Sequence, residues 1–191
     1  MRKYRLSPGN GGQARRRIIS IRDGSMGGHV QGLNLSQHGT CWIADGARAV
    51  DLSWVKDDAR LEGHAIISER VQVAGRALVT GNACLSGSIW VGDDAVVSGD
   101  VNIAGHARIM GNAQVRRNEE IVFITGLIPY DITVTPQNAA IGCRVLSHRE
   151  WLGFPAARAR NLGLDRARFE LLGKVLPPIF RRLARLGNQA L

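Results

Sequence analysis

Aromatic residues, cysteines and long apolar runs are all scarce in this sequence of 191 residues, of which 5% are aromatic. No apolar run reaches the length of about 18 residues that a membrane-spanning helix needs, so no membrane span is predicted. The opening residues 1–5 lack the apolar stretch of a secretory signal, and we therefore expect a cytoplasmic protein.

The three cysteines, Cys41, Cys84 and Cys143, do not have the spacing of metal ligands. An odd number of cysteines fits a reducing cytoplasm, where disulfides are rare. No metal site and no cofactor are predicted.

The net charge of +9 is unevenly distributed along the chain. Residues 1–17 hold six basic and no acidic residues, residues 18–115 seven basic and ten acidic, and residues 116–191 twelve basic and six acidic. The middle is therefore mildly acidic and both flanks are basic. Such flanks are typical of a surface for nucleic acid or acidic protein, or of a solvated basic end.

What the sequence has is a hexapeptide ladder over residues 37–115. Every sixth residue is apolar: Ile43, Ala49, Val55, Leu61, Ile67, Val73, Val79, Leu85, Val91, Val97, Ile103, Ile109 and Val115. Four residues after each comes a second set, mostly small, from Ala47 to Ala113, and turn pairs such as Gly81-Asn82 lie between the sets. A period of six is neither helical nor simple alternation, and it fits a short strand and a turn repeated.

Three such strands close a triangular turn of 18 residues, and successive turns stack at strand spacing, about 4.8 Å. Residues 37–114 make a little over four turns, a prism roughly 20 Å tall. No single turn can bury its own core, so the pattern has to be sustained. The sequence therefore predicts an all-β solenoid, a parallel β-helix of about four triangular coils.

The residues before the ladder carry a resemblance to a known family. They include, in order, Tyr4-Arg5-Leu6, Ile21-Arg22-Asp23, Gly27-Gly28-His29-Val30, Asn34-Leu35-Ser36-Gln37 and Gly39-Thr40-Cys41-Trp42-Ile43. This order resembles the YdcK-like, polymer-forming hexapeptide-repeat proteins of phages and prophages, with His29 in place of the usual Trp. A looser match continues to about residue 155 through residues 131–135, 141–143 and 150–151. The resemblance implies a left-handed β-helix of the LpxA-like type and implies no activity.

Four segments are predicted along the chain: an N-terminal hairpin and cap over 1–36, the β-helix over 37–115, short strands over 116–146, and basic helices over 147–191. In the first, residues 4–6 pair with 18–21 around a loop over 7–17. In the third, residues 121–125, 131–135 and 140–145 form three strands that close the far end. In the last, Ser147 and Glu150 form a capping box, and Pro177-Pro178 bends or interrupts the final helical segment, 165–187.

Two enzyme classes use this type of fold, acyltransferases and γ-type carbonic anhydrases, and both place histidines between coils or subunits. The histidines here are His29, His38, His64, His106 and His148. His64 and His106 are 42 residues apart and should lie at different corners, and no three-histidine zinc site can be assembled from the spacing. The ladder also has no inserted loop, and no nucleophile, phosphate-loop or paired-carboxylate motif is present. We expect no catalytic residues.

The outward positions predict contact surfaces. Leu78 and Val96 are vertical neighbours with Met110 close by, while Trp54 and Trp90 share a column on a second side. Exposed apolar columns usually indicate contact. Three alternatives remain: a second copy of the chain, as a dimer or trimer, the chain's own residues 165–187, or a foreign partner.

The basic flanks suggest phosphate contacts by residues 15–17 and by Arg181, Arg182 and Arg185. The aromatic interleaving that single-strand binding needs is missing, so any nucleic-acid contact should be unspecific and salt-sensitive.

Three function hypotheses follow. The first is a non-enzymatic binding module of phage or prophage type that docks onto a host protein or defence complex in the host cytoplasm, as an anti-CRISPR inhibitor would. The second is a structural or virion-associated homo-oligomer. The third is a degenerate relative of the hexapeptide acyltransferases.

Overall fold

The computed structural model describes residues 2–8 and 15–188. It is mostly β: a parallel β-solenoid of about five turns is followed by an antiparallel sheet and helices. The predicted β-helix with a C-terminal strand and helix appendage is confirmed.

The N-terminal cap is a three-stranded antiparallel unit. Its strands are β1 (Tyr4–Leu6), β2 (Arg16–Ser20) and β3 (Met26–Val30). The predicted hairpin is confirmed by the pairing of Tyr4 with Ser20, while residues 9–14 of the predicted loop lie outside the described residues. Strand β3 also pairs in parallel with the solenoid, His29 opposite Arg48. The cap strand is thus at the same time the first strand of one solenoid face.

The solenoid strands are short and lie on three faces. They are β4 (Trp42–Ile43), β5 (Arg48–Ala49), β6 (Trp54–Val55), β7 (Arg60–Leu61), β8 (Ile66–Ile67), β9 (Gln72–Val73), β10 (Leu78–Val79), β11 (Cys84–Val91), β12 (Val96–Val97), β13 (Asn102–Ile109) and β14 (Gln114–Val115). From β4 to β14 the strand pairs between successive turns are parallel and 18 residues apart, as Leu78 opposite Val96 shows, whereas His29 of β3 is 19 residues from its partner Arg48.

We name the three faces by their outward residues. The leucine face consists of β4, β7, β10, β12 and β14; the polar face of β3, β5, β8 and the first halves of β11 and β13; the tryptophan face of β6, β9 and the second halves of β11 and β13. The solenoid has one turn more than the predicted four because residues 29–36 supply the first strands of two faces, including a bridge from Leu35 to Val55. The six-residue pattern is irregular there, so the sequence placed this segment in the cap.

The interior follows the two predicted sets of inward residues. Every position of the first set, from Ile43 to Val115, is at most 3% exposed, and every member of the second set, from Ala47 to Ala113, is buried. A large branched residue and a small one alternate, which fills the narrow triangular section. Together with Tyr4, Ile18 and Val30 from the cap they form one continuous core.

A second core lies at the other end of the chain. A short 3-10 helix, Asn118–Glu120, leads to an antiparallel sheet of β15 (Val122–Ile124), β16 (Ile132–Val134), β17 (Asn138–Ile141) and β18 (Arg144–Ser147). The prediction of three strands was wrong, because Gly142 with φ 56° and Cys143 form a turn inside the third predicted segment and split it into a hairpin.

Three helices cover this sheet: α1 (His148–Leu152), α2 (Ala156–Asn161) and α3 (Arg166–Asn188). The predicted capping box of Ser147 and Glu150 is confirmed. Helix α3 is continuous through Pro177 and Pro178, so the interruption that these prolines predicted does not occur. Segments 116–146 and 147–188 share one apolar cluster and form a single unit.

The buried side of α3 tests whether residues 165–187 cover the exposed apolar columns of the solenoid. Its residues Leu172, Leu176, Phe180 and Leu183 pack into the second core with Ile132, Ile141 and Trp151 of the sheet and α1. Of the three alternatives, cover of the solenoid by residues 165–187 is therefore contradicted, since the apolar stripe of this segment is already buried against the antiparallel sheet.

The antiparallel unit closes the last turn of the solenoid through one acceptor for each face. The backbone N–H of Asn102 donates to Asn118 Oδ1 at 2.8 Å on the polar face. The N–H of Arg108 donates to Thr133 Oγ1 at 3.0 Å on the tryptophan face, and that of Gln114 to Gln137 Oε1 at 2.8 Å on the leucine face. These side chains occupy donors that a further turn would otherwise pair, which protects the open end from edge-to-edge association.

Candidate interaction surfaces

The tryptophan face carries the aromatic column that the sequence predicted. Trp54, Gln72, Trp90 and Arg108 follow one another in register on successive turns. Two residues further along each strand, a second column runs through Lys56, Ala74, Gly92 and Met110. Residues on either side of one inward residue share a face, because side chains alternate along a strand.

Cations and indole rings alternate on this face. Lys56 Nζ lies 5.1 Å from the ring centroid of Trp54 and 5.7 Å from that of Trp90. Arg108 Cζ lies 4.9 Å from the ring centroid of Trp90. Two cations, Lys56 and Arg108, therefore contact the Trp90 ring. Aromatic interleaving was predicted to be missing beside the basic flanks, and the interleaving seen here lies on the solenoid instead, where it arises from stacked turns and not from adjacent residues.

Met110 lies on the tryptophan face, next to Trp90 and Gly92. The prediction that Met110 lies close to Leu78 and Val96 was therefore wrong. A Cβ added to Gly92 would lie 2.9 Å from Met110 Sδ and 3.1 Å from Trp90 Nε1. The missing side chain of Gly92 thus leaves the room in which Trp90 and Met110 pack against the sheet.

A cleft of about 370 Å³ opens where the tryptophan face meets the antiparallel unit. Its lining residues are Ser88, Trp90, His106, Ala107, Arg108, Pro129, Tyr130, Asp131 and Gly142. Two of these residues carry a buried donor, Trp90 Nε1 and Arg108 Nε, that has no hydrogen-bond acceptor among the described residues. Buried donors are rarely left unpaired, so this cleft is chemically unusual.

On the leucine face, Leu78 and Val96 are direct neighbours in the sheet and both are partly exposed. Arg60 precedes them in the same column, and its guanidinium lies 3.4 Å from the Glu62 carboxylate. The face thus presents two adjacent apolar side chains on a five-stranded sheet, as predicted for Leu78 and Val96.

The most exposed leucines lie elsewhere, at the corner between the polar and tryptophan faces, and sequence reasoning missed them. Leu33 is 91% exposed, Leu52 73%, and nearby Trp54 41%. The Asn34 side chain donates to the carbonyl oxygens of Asp51 and Ser53, which holds the two corners against each other. The available signal was an apolar residue, Leu52, at a turn position that in the other turns of the ladder holds glycine or a polar residue. We call Leu33, Leu52 and Trp54 the leucine corner.

The basic flanks lie at opposite ends of the solenoid. At one end Arg17 pairs with Asp45 at 2.5 Å. At the other end Arg181, Arg182 and Arg185 are exposed on α3 and line a shallow groove. None of these three arginines has an ion pair among the described residues.

The histidines are dispersed. His64 and His106 are exposed at different corners, as predicted. Burial, and then the positive charge of Arg17, lowers the pKa of His29, while burial lowers the pKa of His148, whose ring stacks on Phe180 at 4.2 Å. In the part of the chain that the structure describes, no three His, Cys, Asp or Glu residues lie close enough to hold a metal ion. The three cysteines are free, with Cys41 buried.

No protein-family model matches the chain, and a search of curated proteins gave no match. The resemblance to phage and prophage hexapeptide-repeat proteins therefore stays a prediction. Among residues 2–8 and 15–188, no helix has both the length and the apolar character needed to cross a bilayer.

Proposed function

We propose that this protein is a non-enzymatic binding module that acts by protein–protein contact through its solenoid. The observation that supports this proposal is the leucine corner, where two leucines are 91% and 73% exposed beside a half-exposed tryptophan. Burying a leucine side chain of this kind contributes roughly 1.5–3 kcal/mol, so two of them can anchor a partner.

The finer form of the proposal names the partner. The resemblance to phage and prophage proteins suggests a host protein complex, for example a defence complex that the protein inhibits in the host cytoplasm. The basic ends would then favour a partner with an acidic surface.

A pull-down from bacterial host lysate, with and without nuclease, tests this proposal. We expect one nuclease-resistant complex to co-purify with the native chain and to be lost with Leu33→Asp combined with Leu52→Asp. Leu152→Asp is the matched control, because Leu152 is 60% exposed but lies on α1. Equal capture by all variants, or capture of nothing, would contradict the proposal.

The second candidate is a homo-oligomer, a dimer or trimer, that associates through the leucine face. The direct pairing of Leu78 with Val96, both partly exposed, favours it. Leu78→Asp with Val96→Asp should then lower the mass measured by light scattering. Ile66→Asp is the control, since Ile66 has the same repeat position on the polar face. A mass that the paired substitution leaves unchanged removes this candidate.

The basic end of α3 is a further contact in this proposal, to acidic protein or, unspecifically, to phosphates. Deleting residues 177–191 would be a poor test, since it removes the buried Phe180 and Leu183. Arg181→Glu with Arg182→Glu reverses exposed charges only. It should weaken binding most at low salt, where exposed charges are least screened.

The non-enzymatic part has its own test. An acyl-transfer or hydratase activity that His64→Ala or His106→Ala abolishes would support the transferase alternative and contradict the proposal.

A further inference from the structure

We infer that the cleft at the end of the tryptophan face binds a nucleotide unit of a single-stranded nucleic acid, with its base on the aromatic rings and its phosphate on Arg108. The cleft itself is separate from the leucine corner, although the tryptophan face that leads away from it ends at Trp54 of that corner. The inference does not depend on the proposed protein contact.

The charge of Arg108 is the first support. Among the described residues its guanidinium has no hydrogen bond and no ion pair, and its Cζ lies 4.9 Å from the centroid of the Trp90 ring. Asp131 lines the same cleft but makes no ion pair with it there. A partly buried guanidinium of this kind can bind an anion through charge-assisted hydrogen bonds, and phosphate matches its fork geometry.

The unpaired donors are the second support. Arg108 Nε and Trp90 Nε1 are buried and lack an acceptor, and both residues line the cleft. A ligand oxygen can supply that acceptor once the side chain rotates to turn its donor towards the cleft, which removes the cost of leaving a buried donor unpaired.

The aromatic rings are the third support. Trp90 and Tyr130 line the cleft, and Tyr130 is 39% exposed, so part of its ring surface is free. Stacking of a base on an aromatic side chain contributes about 1–3 kcal/mol and tolerates any base. A neutral sugar could stack in the same way but would leave the cations unpaired, and an acidic peptide would leave the rings unused.

The extent of the face favours a strand over a free nucleotide. From Arg108 the series continues to Trp90, Lys56 and Trp54, which is three turns away, about 14 Å. Lys56 likewise has no ion pair among the described residues and contacts both indole rings. Alternating cations and rings over this distance exceed the reach of one mononucleotide.

The acidic groups near this face set the side on which the phosphates lie. Asp57, Asp58, Asp93 and Asp94 occupy the corner towards the leucine face. The opposite corner carries Arg70, Ser88 and His106 in successive turns, but also Asp51 and Glu69, and Asp131 lines the cleft beside it. Like charges repel, so the backbone of the strand should follow the corner of Arg70 and His106, which has fewer carboxylates than the corner towards the leucine face.

Fluorescence anisotropy with a labelled oligothymidylate and oligouridylate tests the inference at several salt concentrations. Arg108→Ala should weaken binding roughly tenfold or more, in line with the loss of a charge-assisted hydrogen bond. Arg48→Ala, at the same repeat position on the polar face, changes the net charge equally and should have an effect of less than about twofold. Tyr130→Phe should keep the affinity, whereas Tyr130→Ala should lose roughly fivefold or more.

Each possible result of these titrations either supports or overturns the inference. Absence of binding, or equal losses in Arg108→Ala and Arg48→Ala with circular dichroism unchanged, overturns the inference, because binding would then follow net charge alone. A parallel titration with adenosine and uridine monophosphates separates the two sources of the ligand. Mononucleotides that bind as tightly as the strand would overturn the single-strand form and assign the cleft to a free nucleotide.

Discussion

At the scale of single residues, Gly81 shows how closely the turns of the solenoid approach. Its φ is 72°, and a Cβ there would lie 2.7 Å from the backbone nitrogen of Gly99 in the next turn. Backbone cannot move aside as a flexible side chain can. We expect Gly81→Ala to lower the free energy of unfolding by about 1–3 kcal/mol, measured by urea denaturation.

The same substitution at Gly173 is the control and should have the opposite sign. Gly173 lies in α3, and an added Cβ would meet no atom within 4 Å. Alanine there should raise stability by about 0.5–1 kcal/mol, because glycine lowers helix stability. Equal destabilisation by the two substitutions would show that the corner geometry does not limit the fold.

His148 predicts a pH dependence of stability. Burial lowers its pKa below 6.5, and its Nε2 lies 2.8 Å from the Thr135 carbonyl oxygen. Between the lowered pKa and 6.5 the unfolded chain binds more protons than the folded protein, so stability falls as the pH drops through this window. Below the lowered pKa the loss is complete.

Urea unfolding at about pH 7.5 and about pH 5.5 measures this loss. His148→Gln removes the titrating ring and should lose less stability between the two conditions than the native chain. His29, whose pKa burial also lowers, remains in both proteins and does not affect the difference. An identical pH dependence in the two would contradict the assignment to His148.

At the scale of elements, the solenoid could be predicted because each turn repeats the same local requirement. Two inward residues and a turn pair recur every six residues, and stacking needs no information from distant parts of the chain. The irregular turn formed by residues 29–36 and the β17–β18 hairpin could not be found this way. Their pairing depends on Gly142 and on the neighbouring strands, not on a periodic pattern.

The candidate surfaces were predictable only as columns. The 18-residue period predicted the columns of Trp54 with Trp90 and of Leu78 with Val96, because residues one turn apart stack on each other. The cleft was not predictable, since Tyr130 reaches it from a loop outside the ladder. The unpaired state of Arg108 is likewise a matter of which groups surround it in three dimensions.

Replacing a proline inside helix α3 should raise the stability of the protein. Pro178 lies inside the helix and is exposed, and it offers no N–H for the Lys174 carbonyl oxygen. Pro178→Ala restores that donor and should stabilise the second core by about 1–3 kcal/mol, less the entropy that proline removes from the unfolded chain. Thermal unfolding followed by helical circular dichroism measures it, and a lower midpoint would show that the ring packs favourably.

At the scale of the whole molecule, two apolar cores meet through polar contacts and through Ile121 and Phe123, which pack against the solenoid core. The solenoid core extends from Tyr4 to Val115, and the second core contains residues from Ile128 to Leu183. At their junction, buried Glu120 accepts from the Arg116 N–H at 2.6 Å and pairs with Arg117 at 3.0 Å. Because this apolar link is small beside the two cores, each core should respond separately to a cavity in its own interior.

Leu183→Ala tests this independence. Leu183 is fully buried in the second core, and its truncation should cost about 2–5 kcal/mol there. Hydrogen exchange should then lose protection in β15–β18 and α1–α3, while the solenoid strands β4–β12 stay protected. Leu61→Ala, fully buried in the solenoid, is the matched control with the reverse pattern. Loss of protection in both units with either substitution would mean that the polar junction couples them into one cooperative unit.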